Sequence, residues 1–249
     1  MAAIVTLTMN PALDIATATE RVVPAHKLRC EAPRYDPGGG GINVARAVHA
    51  LGGDALAIFP AGGSAGEMIR HLLREEGVAH KAVAIAAFTR ESLAVEARES
   101  GQQYRFILPG PELGGADQER CLDALAAAAA APDARYIVAS GSLPLGVFED
   151  FYRRVGELAQ RHGRRLVLDT SGAALKEAGH GIYLLKPSLR ELEEQSGRDL
   201  RSEPDEVQAA RALTAAGSAA LLGRGTQLCR LADVERLYQA TSAPATGLR

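Results

Sequence analysis

The stretch Pro37-Gly38-Gly39-Gly40-Gly41-Ile42-Asn43-Val44-Ala45-Arg46-Ala47 decides how the rest of the chain is read. Four consecutive glycines end an extended segment and run straight into a helical pattern. Glycine lets a backbone approach a ligand closely, and a helix N-terminus presents unpaired N–H groups. Asn43 falls in the first turn, placed to bond a hydroxyl or a phosphate. The run lacks the Lys-Ser/Thr ending of a P-loop and the spacing of a Gly-x-Gly-x-x-Gly fingerprint. It reads either as the floor of an anion site or as a flexible turn into a helix.

On both sides of this run, short β-branched stretches alternate with longer helical ones. Strands are expected at residues 3–9, 55–59, 136–139, 166–169 and 182–185, with helices at 42–51, 65–76, 117–131, 148–162 and 173–178. Such alternation predicts an α/β fold with a mostly parallel sheet. Ser64 followed by Glu67 carries a capping-box signature for the helix near residue 65. Two segments break the rhythm. Residues 14–36 read as extended chain, and residues 81–108 hold three strand-like pieces (82–88, 93–98, 103–108) without helices. They predict a small antiparallel lid, which could also carry a contact between subunits. After Leu185 only helical patterns follow, at 189–196, 204–222 and 231–239, before a frayed tail over 241–249. The core sheet is therefore expected to stop near residue 185.

The presumed lid carries four cations. Lys27 and Arg29 are two apart and would share one strand face, while Arg90 and Arg105 sit on other strands. Over a glycine floor they would suit a phosphorylated, polyhydroxylated small molecule, because the arginine fork matches phosphate. Each also reads as a solvated edge residue that discourages stray pairing. Asp14 follows the first strand, where a carboxylate could accept sugar hydroxyls or bond its own turn. Ser140-Gly141-Ser142-Leu143-Pro144 puts small polar groups at another strand end, or forms an ordinary loop. In Lys186-Pro187-Ser188-Leu189-Arg190-Glu191, Glu191 could orient a metal-bound water near a nucleotide, but Ser188 and Glu191 also form a capping box.

Composition narrows the classes. The chain has 249 residues, a length that suits one large domain. A net charge of −2, 4% aromatics and no Trp leave neither the basic footprint nor the stacking surface of a nucleic-acid binder. No apolar run is long enough for a membrane span. Met1-Ala2-Ala3-Ile4-Val5 lacks the basic start of a secretory signal. Cys30, Cys121 and Cys229 are far apart, so the expectation is a reducing cytoplasm without disulfides. The six histidines are scattered, so no imidazole-held metal is expected. No Gly-x-Ser-x-Gly elbow supports a hydrolase triad.

Taken together, several motifs resemble the PfkB group of ribokinase-like sugar kinases, nearest its bacterial 6-phosphofructokinase branch. They are Leu7-Thr8-Met9-Asn10-Pro11-Ala12-Leu13-Asp14, Lys27-Leu28-Arg29-Cys30, the glycine run, Ala57-Ile58-Phe59-Pro60-Ala61-Gly62-Gly63, and Thr89-Arg90. Gln102-Gln103-Tyr104-Arg105-Phe106, Ser140-Gly141-Ser142-Leu143-Pro144, Leu184-Leu185-Lys186-Pro187 and Gly225-Thr226-Gln227-Leu228-Cys229 continue the series. The resemblance implies a doubly wound α/β domain over residues 1–249 whose β lid can clasp a second subunit into a homodimer. It implies ATP-dependent phosphorylation of fructose 6-phosphate to fructose 1,6-bisphosphate, a glycolytic step, with Mg2+. Neighbouring specificities are those of 1-phosphofructokinase and tagatose-6-phosphate kinase. By the same resemblance Asp14, Gly39, Gly40 and Asn43 hold the sugar hydroxyls. Lys27, Arg29, Arg90 and Arg105 serve the substrate's phosphate end, with Ser140 nearby. Lys186 and Glu191 lie toward nucleotide and metal.

The sequence departs from the family pattern at one place above all. Members carry a Gly-Ala-Gly-Asp motif in the C-terminal third, which supplies the phosphoryl-stabilising amides and the catalytic base. Here the nearest look-alike is Gly114-Gly115-Ala116-Asp117, far upstream, which reads as a helix N-cap. No catalytic residue is therefore assigned. Near residues 213–215 the chain passes directly to the family's penultimate helix, so several tens of residues of the family pattern are missing. Ser188 stands for the usual Asn of the magnesium motif, and Gly223 and Gln227 stand where relatives have Asn and Arg. The alternative to a working kinase is a non-catalytic sugar-phosphate-binding or dimerising remnant.

Overall fold

The computed structural model describes residues 2–178 and 181–202, together with Asp205, Ala209, Ala219 and Ala220. The chain opens with β1 (Ile4–Leu7), β2 (Ala12–Thr19), β3 (Arg34–Gly38), α1 (Gly40–Ala50), β4 (Ala55–Ala61), α2 (Gly63–Glu75) and β5 (His80–Ala84). It continues with β6 (Arg90–Ala97), β7 (Gln102–Ile107), α3 (Gly115–Ala129), β8 (Tyr136–Ser140) and α4 (Phe151–Arg161). Then come β9 (Arg165–Asp169), α5 (Gly172–Lys176), β10 (Ile182–Leu185), α6 (Leu189–Ser196) and the two-residue β11 (Ala219–Ala220).

Seven strands form the main sheet in the order β11-β10-β9-β8-β1-β4-β5, all paired in parallel. Parallel strands need crossovers, and the helices that supply them cover both faces. On one face α3 and α4 bury Cys121, Leu125, Tyr152 and Val155 against Leu7, Ile137 and Leu166. On the other, α1 and α2 bury Ile42, Ala45, Ile69 and Leu73 against Ala57 and Phe59. β1 sits between β4 and β8, so the winding reverses there. A crevice opens at the carboxyl ends of the strands at such a switch point.

The second sheet, in the order β3-β2-β6-β7, is the lid. Its outer pairs are antiparallel, but its central pair, β2 with β6, is parallel. The lid expected over residues 81–108 is therefore smaller. Residues 80–84 form β5, the edge of the main sheet, in register with β4. The first sequence piece reads as strand in either sheet, because period-two alternation does not name its partner.

Two further expectations change. The Ser64–Glu67 capping box does not form. Gly62 is the N-cap of α2, and its N–H donates to Thr89 Oγ at 3.0 Å. That contact puts Ser64 inside the first turn and leaves Glu67 to pair with Arg70. The main sheet also does not end at Leu185, since Ala219 and Ala220 pair with Leu184 and Leu185. The Ser188–Glu191 box does form, and Gly197 closes α6 in the left-handed region at φ 64°. Cys30 is exposed, while Cys121 is buried and its thiol is pushed up to about 12 by burial. Cys229, Gly223, Gln227, the junction at 213–215, the helix expected at 231–239 and the tail at 241–249 lie outside the described residues, as does most of the helix expected at 204–222. Among the described residues no helix is long and apolar enough to cross a membrane.

Candidate active site

A cleft of about 590 Å3 lies between the lid and the start of α1. Asp14, Gly39, Asn43, Arg46, Arg90 and Arg105 line it. Asp14 is the third residue of β2 rather than a turn residue, and it stands opposite Asp36 on β3 and Ser92 on β6. Its carboxylate leans over Gly38, where a Cβ would collide with it. Burial raises the Asp14 pKa, while Arg90 and Arg105 pull it back.

The glycine floor is required by its surroundings. Gly39 has φ +122°, and a Cβ there would strike the Thr8 methyl. A Cβ on Gly40 would strike Ser140 Oγ. Thr8 Oγ accepts the Ile42 N–H at 2.9 Å, which ties the first turn of α1 to the end of β1. Asn43 follows on the same turn, its N–H donating to the Gly39 carbonyl at 2.8 Å.

Arg90 opens β6 and donates to the carbonyls of Asn10 (3.3 Å) and Leu108 (3.4 Å). Burial lowers its pKa and Asp14 counters that effect. Arg105 lies on β7 opposite Ala94, exposed toward the cleft. Lys27 and Arg29 are not brought to the lining. They are exposed on the connection between β2 and β3, which forms no strand of its own. That connection is fixed at its far end, where the Arg29 carbonyl accepts Thr19 Oγ at 3.0 Å.

Behind the floor, three strand ends share one carboxylate. Ser140 Oγ donates to Asp169 Oδ2 at 3.1 Å, and Lys186 Nζ pairs with Asp169 Oδ1 at 3.2 Å. Ser140 is buried beneath Gly40, outside the lining of the cleft. Glu191 is held as a cap, its Oε2 accepting the Ser188 N–H at 2.7 Å. Asp117 also serves as a cap: it accepts the Gly114 N–H at 3.3 Å and pairs with Arg120.

Sequence reasoning passed over Asp169, Arg46 and Asn10. Asp169 ends an expected strand on the same sheet edge as Ser140, a signal that was readable. Asn10 follows β1 and joins the lid to the β8 loop, its Nδ2 donating to Ser142 Oγ at 3.1 Å. Nothing local marks Arg46, whose partners lie on β3 and just past α2.

Together, the carboxylate, the amide, the two arginines and the bare backbone can hold a molecule that has hydroxyls at one end and an anionic group at the other. A doubly wound sheet with a β lid over such a cleft defines a ribokinase-like sugar-kinase architecture. The chain belongs to the pfkB family of carbohydrate kinases, whose sequence profile matches residues 6–247. It is 50% identical over 247 residues to ATP-dependent 6-phosphofructokinase isozyme 2 of Mycobacterium tuberculosis, covering 98% of this chain and 72% of that protein. It is 41% identical over 254 residues to the isozyme 2 of Escherichia coli K12, covering 98% and 79%. The structure superposes on phosphofructokinase-2 from Escherichia coli in complex with fructose-6-phosphate with a TM-score of 0.82. That match has 40% identity and covers 91% of this chain and 75% of the other.

Proposed function

We propose that the cleft binds fructose 6-phosphate and that the chain's reaction is its ATP-dependent phosphorylation to fructose 1,6-bisphosphate, in the cytoplasm. The observation that supports this reading is the meeting of Asp14, Asn43, Arg90 and Arg105 in one glycine-floored cleft. In this reading Asp14 and Asn43 take the sugar hydroxyls, with Gly39 and Gly40 allowing close approach. Arg90 and Arg105 take the existing phosphate. Ser140 supports Gly40 from beneath. Lys27 and Arg29, exposed at the lid margin, draw the dianion in by their charge. The exposed Phe106, Ile107 and Leu108 on and beyond the β7 edge suit burial in a homodimer formed through the lid.

The donor set at the strand ends fits a nucleotide's phosphates. Lys186 is half-exposed and keeps donors beyond its bond to Asp169. ATP supplies the transferable phosphoryl group. Among the described residues no group of three His, Cys, Asp or Glu could hold a metal by itself. Glu191 would help to hold Mg2+ carried with the nucleotide, and the ion would supply charge neutralisation for the phosphates.

A second reading, binding without transfer, is favoured by one observation. The sequence contains no Gly-Ala-Gly-Asp, and the look-alike Asp117 is consumed as a helix cap. Loss of a general base removes about 10²- to 10⁴-fold in rate. A family segment missing near residues 213–215 belongs to this reading, and the mass of the protein made from its own gene tests it. A coupled assay with ATP and fructose 6-phosphate, run beside calorimetry, separates the readings. Turnover at ordinary sugar-kinase rates supports transfer, and binding without turnover supports the second reading. Absence of binding overturns both. Fructose 1-phosphate and tagatose 6-phosphate, tried in the same cell, test the neighbouring specificities.

A further inference from the structure

We propose that Arg46 is a positioning residue for Asp14, acting through Asp36. Asp14 and Asp36 are directly opposite on the antiparallel pair β2/β3. Side chains so placed share one face, with Cβ atoms about 5 Å apart. Two carboxylates that close oppose each other's ionisation. Unless Asp36 is neutralised, it disfavours the charge with which Asp14 would accept hydroxyls.

Two cations reach Asp36. Arg34 donates from Nε to Oδ2 at 2.7 Å, but its side chain is 77% exposed, so water screens the pair. Arg46 approaches Oδ1 at 3.6 Å with a side chain only 16% exposed. It is also fixed in place. Its Nε and Nη2 fork onto the Glu76 carboxylate at 2.7 Å each, and Nη1 donates to the Pro37 carbonyl at 3.3 Å. Asn43 and Arg46 are three apart on α1, so the same helix face presents the amide and the fixed cation to the cleft.

The charged groups around Asp14 are Asp36 and Arg34 from β3, Arg90 from β6, Arg105 from β7 and Arg46 from α1. The opposite face of β2 is apolar, with Leu13 in the core formed by Ile69 and Leu73 of α2. Asp36 raises the Asp14 pKa and Arg46 lowers it, in line with the geometry. Arg46, whose charge is shared with Glu76, offsets part of the Asp36 charge, while Arg90 and Arg105, the two cations proposed to take the substrate's phosphate, act on Asp14 more strongly. The consequence for the sugar rests on the proposed function, but the relay itself does not.

The test is a carboxyl-carbon NMR titration of Asp14 in the ligand-free full chain. Arg46→Gln is expected to raise the Asp14 midpoint by roughly half a pH unit or more. Asp36→Asn is expected to lower it, and the double variant to fall with Asp36→Asn rather than with Arg46→Gln. Arg46→Lys keeps the charge and is expected to stay near the parent. A merely structural role for Arg46 would change the melting temperature and leave the order of midpoints untouched. Unmoved midpoints in Arg46→Gln and Asp36→Asn overturn the proposal. If Arg46→Gln fails to fold, Asp36→Asn and Arg46→Lys still decide it. Fructose 6-phosphate calorimetry across pH runs in parallel, and its acidic limb should follow the same order. Shifted midpoints without any sugar binding would sink the functional reading and leave the relay standing.

Discussion

Lys186 Nζ stands 3.2 Å from Asp169 Oδ1, across the ends of two neighbouring parallel strands. The other oxygen of that carboxylate accepts Ser140 Oγ at 3.1 Å. One carboxylate therefore fixes a cation on one side and, through Ser140, the glycine floor on the other. Both partners of the ion pair remain partly open to solvent, so its value lies in orientation more than in stability.

Replacing Lys186 by Ala should change folding stability by less than about 1 kcal/mol, because the lost pair is solvated. If Lys186 meets the nucleotide as proposed, ATP affinity should fall about tenfold or more through loss of a charge-assisted phosphate contact. Thermal melts and a nucleotide titration of the same sample check both halves.

Gly40→Ala puts a methyl group against Ser140, whose backbone cannot retreat because β8 is paired on both sides. Overpacking of this kind costs about 1–3 kcal/mol. Denaturant unfolding should show that loss, and calorimetry should show weakened fructose 6-phosphate binding.

Asp14 carries a pKa raised mainly by burial. The folded state therefore holds its proton to higher pH than the unfolded chain does. Stability from this group is highest below the unfolded carboxyl pKa, falls as pH rises toward the folded pKa, and stays at the lower level above it. Asp14→Asn should thus raise the melting temperature at neutral pH and flatten its decline as pH rises above the ordinary carboxyl range. Sugar affinity should drop by roughly 10- to 100-fold, the worth of a charged hydrogen bond. A variant that melts lower than the parent at neutral pH would contradict this account.

Tyr152 is fully buried and donates its phenolic hydroxyl to the Gly141 carbonyl at 2.7 Å. Thr170 Oγ donates to the same oxygen at 3.1 Å. Tyr152→Phe keeps the packing and leaves that carbonyl one partner, so the loss should be about 1 kcal/mol. Equilibrium unfolding in urea measures it.

The sequence was most readable where local chemistry brackets an element. β10 and α6 have the boundaries expected, because Ser188 and Glu191 cap one end of α6 and Gly197 turns off the other. It was least readable where distant residues meet. The Gly62–Thr89 bond moved the start of α2, and the pairing of residues 80–84 with β4 moved a strand out of the lid. The site divides in the same way. Asp14, Gly39, Asn43, Arg90 and Arg105 carry side chains or bare backbone whose chemistry is plain from residue type, and they do converge. Lys27 and Arg29 have the right charge, but the alternation suggested a strand where the chain runs unpaired. Arg46 was invisible because its meaning lies in Asp36 and Glu76, which are ten and thirty residues away.

The parallel union of β2 and β6 has a consequence for how the protein forms. Ala12 lies beside Arg90, and α1, β4, α2 and β5 must all be traversed before the two strands can meet. The seam at the centre of the lid is thus closed by the longest detour in that half of the chain. Contacts of such wide separation are slow to form. Three of the seven main-sheet strands, β1, β4 and β5, therefore emerge before β6 can close the lid onto β2.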